Sequence, residues 1–141
     1  MVNGLKIYID ENLPSQLADA LNLLQQPLNF NEKYPIQVLS IKKVFGEGAK
    51  DEDWIPKVGA EKAYVITQDS RIQSQKHQRE LYLKCGVGIF FLNPPSKGGF
   101  KYWDMVQKLI AEWDNIKRII RKEKPPFAYR ASSKKHFEKM D

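Results

Sequence analysis

Short apolar runs alternate with stretches of helical spacing along most of the chain. Leu5 to Ile9 (LKIYI) reads as a strand, and Pro14 followed by Leu17, Ala18, Ala20, Leu21 and Leu24 predicts an amphipathic helix with proline in its first turn. A loop containing Pro27, Asn29, Asn31 and Pro35 leads into the β-branched run Ile36 to Ile41, a second predicted strand. Gly46 and Gly48 mark an irregular connection. Asp51, Glu52 and Asp53 then precede Trp54, Ile55 and Val58, the pattern of a short helix whose acidic start complements its dipole. Ala63 to Thr67 (AYVIT) predicts a buried strand, and Ser70 to Lys84 is polar but compatible with a helix. Val87 to Leu92 (VGIFFL) is nearly continuous in apolar residues, as in a strand covered on both faces. From Tyr102 to Ile120 a helical period runs through Trp103, Val106, Leu109, Ile110, Trp113, Ile116 and Ile120, and Pro125 and Pro126 stop it. Trp54, Trp103 and Trp113 are expected in the core. Strands alternating with helices predict an α/β fold with a mostly parallel sheet and helices on both faces. Phe127 to Asp141 shows no pattern that assigns it a regular structure.

A chain of 141 residues is long enough for one continuous core. Its 42% hydrophobic and 28% charged residues are those of a folding, globular protein. Residues 1–124 are expected to form the α/β domain and residues 125–141 a basic C-terminal tail. The net charge of +6 is segregated: residues 1–116 carry 14 basic and 14 acidic side chains, and residues 117–141 carry nine and three. Such a basic segment favours a polyanionic or acidic partner. The single cysteine, Cys85, is expected to be a small buried apolar residue, and with only two histidines there is no zinc-type cluster, so any metal is bound through oxygen. Met1 to Ile9 lack the features of a secretory signal, and no apolar run approaches the roughly 20 residues of a membrane span; a cytoplasmic location without membrane contact is expected.

In open α/β sheets the ligand crevice lies beyond the carboxyl ends of the strands. Asp10 and Asp69 each fall just after a predicted strand. Asp51, at a helix start between the second and third strands, faces the same crevice if the crossovers are right-handed. Carboxylates brought together repel, so a cluster without a fixed cation is stable mainly when Mg²⁺ or Mn²⁺ occupies it. Such an ion activates water and neutralises the charge building on a phosphodiester, which points to metal-dependent phosphodiester hydrolysis. Each acid also has a plainer role: Asp10 as a turn cap, Asp51 as a helix N-cap, Glu11 and Asp53 as solvated neighbours outside the ligand set. Asp69 is the first to which function is assigned. Arg71 either balances the acids, grips a phosphate or is simply an exposed helix residue. In the basic C-terminal end, Lys122 and Arg130 are candidate phosphate contacts. There Phe127, Tyr129 and Phe137 interleave with basic residues as on a stacking surface for single-stranded nucleic acid; an arm that orders on a protein partner is the alternative.

Ile9-Asp10-Glu11-Asn12-Leu13-Pro14, Asp51-Glu52-Asp53-Trp54-Ile55, Thr67-Gln68-Asp69-Ser70-Arg71-Ile72 and Phe90-Phe91-Leu92 together resemble PIN-like domains of the VapC type, the toxin components of toxin–antitoxin pairs. The resemblance spans residues 5 to about 120. It implies a three-layer αβα sandwich and a Mg²⁺- or Mn²⁺-dependent endoribonuclease inhibited by a small cognate antitoxin. It also implies a homodimer and a metal site of Asp10, Asp51 and Asp69 neighboured by Glu11 and Asp53. One departure stands out: Asn93 and Ser70 occupy the places where such domains carry a further carboxylate. A PIN-like module that binds nucleic acid or protein without cutting is the alternative reading.

Overall fold

The computed structural model describes residues 4–68, 72–96 and 98–140. The chain runs β1 (Leu5–Ile9), α1 (Ser15–Gln25), a 3-10 segment (Gln26–Asn31), β2 (Ile36–Ser40), α2 (Ile41–Phe45), α3 (Asp51–Ala60), β3 (Tyr64–Gln68), α4 (Ile72–Cys85), β4 (Gly88–Asn93), α5 (Tyr102–Lys122), β5 (Phe127–Ser132) and β6 (Glu138–Lys139). These strands form one sheet in the order β2-β1-β3-β4-β5-β6, parallel except for β6.

Because side chains alternate along a strand, each strand supplies both faces. Ile7, Ile9, Val38, Ile66, Phe90 and Leu92 pack on Leu17 and Leu21 of α1 and on Leu109, Ile116 and Ile120 of α5. Tyr8, Val65, Ile89 and Phe91 pack on Ile41 of α2, on Trp54, Ile55 and Val58 of α3, and on Tyr82 of α4. The result is a three-layer αβα sandwich around a mostly parallel sheet. Gly59 lets α3 and α4 approach closely, since a Cβ there would lie 2.0 Å from the Cys85 carbonyl oxygen. Cys85 itself is half-buried against this second core. No helix among the described residues is long and apolar enough to cross a membrane.

The outer edge of β2 is closed by side chains rather than by another strand. The Asn22 amide donates to the Val38 carbonyl and accepts from the Val38 N–H, both at 2.7 Å, and Asn29 makes the same pair of bonds to Ile36 at 3.1 and 3.0 Å. Each asparagine thus imitates one rung of a missing ladder, blunting an edge that would otherwise pair with another chain.

Two expectations are corrected. Trp103 is not a core residue but 70% exposed, stacked edge-on against Tyr102 with ring centroids 5.2 Å apart. The buried stripe of α5 runs through Met105, Leu109, Glu112, Ile116 and Ile119, which turns Trp103 and Ile110 outward. The stretch from Phe127 is also not without structure: Phe127–Ser132 pairs in parallel with β4 along its whole length, and the chain then returns as β6. Its aromatics face inward, Phe127 and Phe137 being buried and packed edge-on against Phe90.

What holds the returning segment is Glu112, fully buried on α5. It accepts from the Phe137 N–H (3.1 Å), meets His136 Nδ1 at 2.5 Å and has Lys108 Nζ at 3.6 Å. Burial opposes ionisation of Glu112, but these donors together hold its carboxyl below the usual carboxylate range. A carboxyl lowered in the folded state stabilises the fold above its unfolded pKa, and that contribution is lost as pH falls through the folded value.

Two outcomes are expected. Asn22→Ala loses both edge bonds and about 1–3 kcal/mol of unfolding free energy, read as a lower urea midpoint. Glu112→Gln lowers stability at pH 7 and flattens its decline on acidification; an acid limb as steep as that of the unaltered protein would show that Glu112 does not carry it.

Candidate functional site

Sheet order decides where a site can form. From β1 the chain leaves through α1 on one face and runs outward to β2; from β3 it leaves through α4 on the opposite face and runs the other way to β4. The two connections diverge beyond the carboxyl ends of β1 and β3 and open a crevice at this switch point. Asp10 is the first residue after β1, and its N–H still donates to the Ile66 carbonyl of β3 (3.0 Å).

The Asp10 side chain is 8% exposed. Thr67 Oγ1 donates to its Oδ2 (2.8 Å) and the Glu11 N–H to its Oδ1 (2.7 Å). Burial pushes the Asp10 pKa up from its ordinary value, the two hydrogen bonds act against that, and the charges of Asp51 and Glu11 push it up again. The net direction is upward. Among the described residues, Asp10 is thus a carboxylate held in place but short of countercharge.

A clamp joins the two strand ends. Asn12 donates through Nδ2 to Thr67 Oγ1 (3.1 Å) and to the Gln68 carbonyl, and accepts through Oδ1 from the Gln68 N–H (3.2 Å). Gln68 Nε2 donates back to the Asn12 carbonyl (3.3 Å), while its Oε1 accepts from the Phe100 N–H (3.0 Å) and so fixes the loop that enters α5. Asn12, Thr67 and Gln68 were not singled out as site residues, although all three lie inside the quoted motifs.

Asp51 opens α3. The N-cap position falls one residue earlier, at Lys50, and has no side-chain cap bond, so Asp51, Glu52 and Asp53 share the first turn. Asp51 is half-buried and lies near enough to raise the Asp10 pKa; Asp53 is exposed. Glu11, also exposed, accepts from the Gly48 N–H (3.1 Å), tying the loop before α3 to the end of β1. Beneath them sits Tyr82 of α4, 0% exposed and edge-on to Trp54 at 5.9 Å. Its hydroxyl has no hydrogen-bond partner among the described residues, and burial followed by the charges of Asp10 and Asp51 raises its pKa well above the usual phenol value. No sequence signal marks Tyr82, a lone aromatic in a polar helix.

These features fit a hard divalent cation. The donors are oxygens only, the charge of Asp51 adds to the cost of ionising Asp10, and a buried hydroxyl beside them has a donor unused among the described residues. Among the described residues no three of His, Cys, Asp and Glu are gathered to hold an ion by themselves. Asp69 and Arg71 lie outside the described residues. Of the other basic candidates, Arg130 is exposed on β5, in register with Phe91 near the carboxyl ends of the strands. Lys122 is not brought there. It ends α5, which returns to the amino ends of the strands, where the neighbouring Arg121 and Lys124 line a cavity with Leu5, Ile36 and Tyr64.

Residues 5–94 match the family model of the PIN-like domain. The matched span covers β1 to β4, hence the switch point and its acids, and leaves α5, β5 and β6 outside. No curated protein and no solved structure gives a significant match.

Thr67→Val keeps the shape of the side chain and removes its hydroxyl from both Asp10 and Asn12. It is expected to cost about 1–3 kcal/mol in urea unfolding, with Thr67→Ser largely restoring stability. Equal midpoints for Val and Thr would show that this hydroxyl does not hold the clamp.

Proposed function

The chain belongs to the PIN-like domain family, whose fold is of the nuclease type, and we propose that it is a metal-dependent endoribonuclease acting as the toxin of a type II toxin–antitoxin pair. The observation that carries this reading is the buried Asp10 carboxylate at the switch point, short of countercharge among the described residues and with Asp51 in its field. Asp10, Asp51 and Asp69 hold Mg²⁺ or Mn²⁺. The ion supplies a Lewis acid that acidifies water and offsets the charge building on a scissile phosphodiester.

The chain's own residues do the rest. Thr67 and the Glu11 N–H fix the Asp10 carboxylate, and Asn12 and Gln68 keep the ends of β1 and β3 at constant separation. Glu11 anchors the loop that delivers Asp51. Arg71 and Arg130 take phosphates of the RNA strand, as guanidinium groups do in paired hydrogen bonds. A small cognate antitoxin protein silences the enzyme in the cytoplasm, where it works as a homodimer.

A second reading is favoured by one feature. Asp51 stands in the first turn of α3, where the helix dipole already stabilises a carboxylate. On that reading the domain binds nucleic acid or protein without cutting it.

Cleavage of a mixed RNA pool with Mn²⁺, Mg²⁺ or EDTA, with Asp69→Asn in parallel, tests the proposal. Cutting that needs metal and disappears in the variant is expected. Thermal unfolding separates the two readings: Mn²⁺ raises the Tm of the unaltered protein but not of Asp10→Asn if the acids hold metal, and leaves both unchanged if they do not.

A further inference from the structure

On the face of the sheet covered by α3 and α4, α4 packs over β4 and β5, and the hairpin of β5 and β6 rises beside it. Between them lies a cavity of about 590 Å³. Arg79 of α4, Asn93 at the carboxyl end of β4, Arg130 of β5 and Lys135 of the hairpin turn line it, together with Glu138 and Lys139 of β6.

The charges in this groove are unequal. Glu123 holds Lys139 in an ion pair. Arg79, Arg130 and Lys135 form no ion pair among the described residues, which leaves three free cations facing one carboxylate. That carboxylate, Glu138, stands opposite Arg130 in the antiparallel ladder without pairing with it. Two guanidinium groups and an ammonium in one concave site repel each other at low ionic strength, and an anion relieves that repulsion. The hydroxyl of Ser132 offers no such relief, since it is turned to the backbone N–H groups of Lys134 and Lys135.

We propose that the groove between α4 and the β5–β6 hairpin grips the phosphate backbone of single-stranded RNA, with Arg79 and Arg130 as its principal contacts and Lys135 as a third. The direction of the strand rests on the ribonuclease reading. The groove opens at Asn93, at the same end of the sheet as Asp10. From β1 through β3 and β4 to β5 is three strand spacings, roughly 15 Å, a distance a few nucleotides cross. A strand with one phosphate at the acids therefore lays another in the groove. None of the six side chains is aromatic, so the grip is on phosphate rather than base, and it does not discriminate sequence. Most of the groove, Arg130 to Met140, lies beyond the span matched by the family. Arg130 and Lys135 are accordingly supplied by the part of the chain outside the matched span, and Arg79 by the part inside it.

Binding of a fluorescent mixed-sequence RNA 20-mer, followed by anisotropy in EDTA at several salt concentrations, tests this without any cleavage. The Arg79→Ala/Arg130→Ala double variant is expected to bind about tenfold or more weakly, equally for different sequences. Its plot of log affinity against log salt should be shallower by about 1.4, the loss of two single-strand phosphate contacts. Glu138→Gln is expected to bind tighter than the unaltered protein, a gain that a damaged fold would not give. Lys57→Ala, exposed on α3, serves as the charge control and is expected to change nothing. Unaltered affinity and salt slope in the double variant would overturn the proposal, as would no binding by the unaltered protein at low salt. Binding that follows the expected pattern in a protein that never cuts RNA would sink the nuclease reading and leave the groove standing.

Discussion

The site depends on one constraint: the ends of β1 and β3 have to stay at a fixed separation while the connections leaving them diverge. Parallel pairing alone does not ensure this, because the ladder between these strands ends with the bond from Asp10 N–H to the Ile66 carbonyl. Past that point the Asn12 side chain takes over, working as donor and acceptor to Gln68 and as donor to Thr67. Thr67 in turn spends its hydroxyl proton on Asp10. A short run of side-chain bonds therefore extends the sheet by one residue on each strand and holds a carboxylate in the space thus framed.

The electrostatics follow from that placement. Burial makes ionised Asp10 costly, the Thr67 and Glu11 bonds compensate in part, and Asp51 makes it costlier. A charged group removed from water without full compensation is costly, and such groups cluster at functional sites. The Glu112 cluster is the contrast within the same molecule. It too is a buried carboxylate, but its hydrogen-bond donors outweigh burial and its pKa moves down, so it acts as a latch for the C-terminal segment.

That latch changes what the basic end of the chain is. Charge counts alone describe residues 117–141 as a cationic segment, yet part of the charge is spent internally: Lys117 and Arg121 on Glu32, and Lys139 on Glu123. The aromatics that read as a stacking surface are mostly used in packing, with Phe127 and Phe137 against Phe90 and Tyr129 donating to Glu123 (2.7 Å). What remains for a partner is a smaller set of cations on one face of β5 and its hairpin.

The alternation of strands and helices, the layers they form and the acids that follow strands are legible along the chain, because each is written in spacing over a few neighbouring residues. The short α2 and the 3-10 segment escaped, being too brief to show a period. The PIN-like domain family, though not its VapC type, is legible in the quoted motifs and matched over residues 5–94, since D-x-N and T-Q-D are local patterns. The rest is set by contacts between distant segments. The rotation of α5 that exposes Trp103 and buries Glu112 depends on partners 24 and 25 residues away, His136 and Phe137. The sheet position of β5 depends on β4 presenting a free edge, which the six residues of β5 do not announce by themselves. Asn12 and Thr67 meet across 55 residues of sequence, and Tyr82 comes to rest beneath the acids through the crossing of α4 over the sheet. Periodicity reports which way a side chain faces along its own element; what it meets there is set by the packing of elements far apart in the chain.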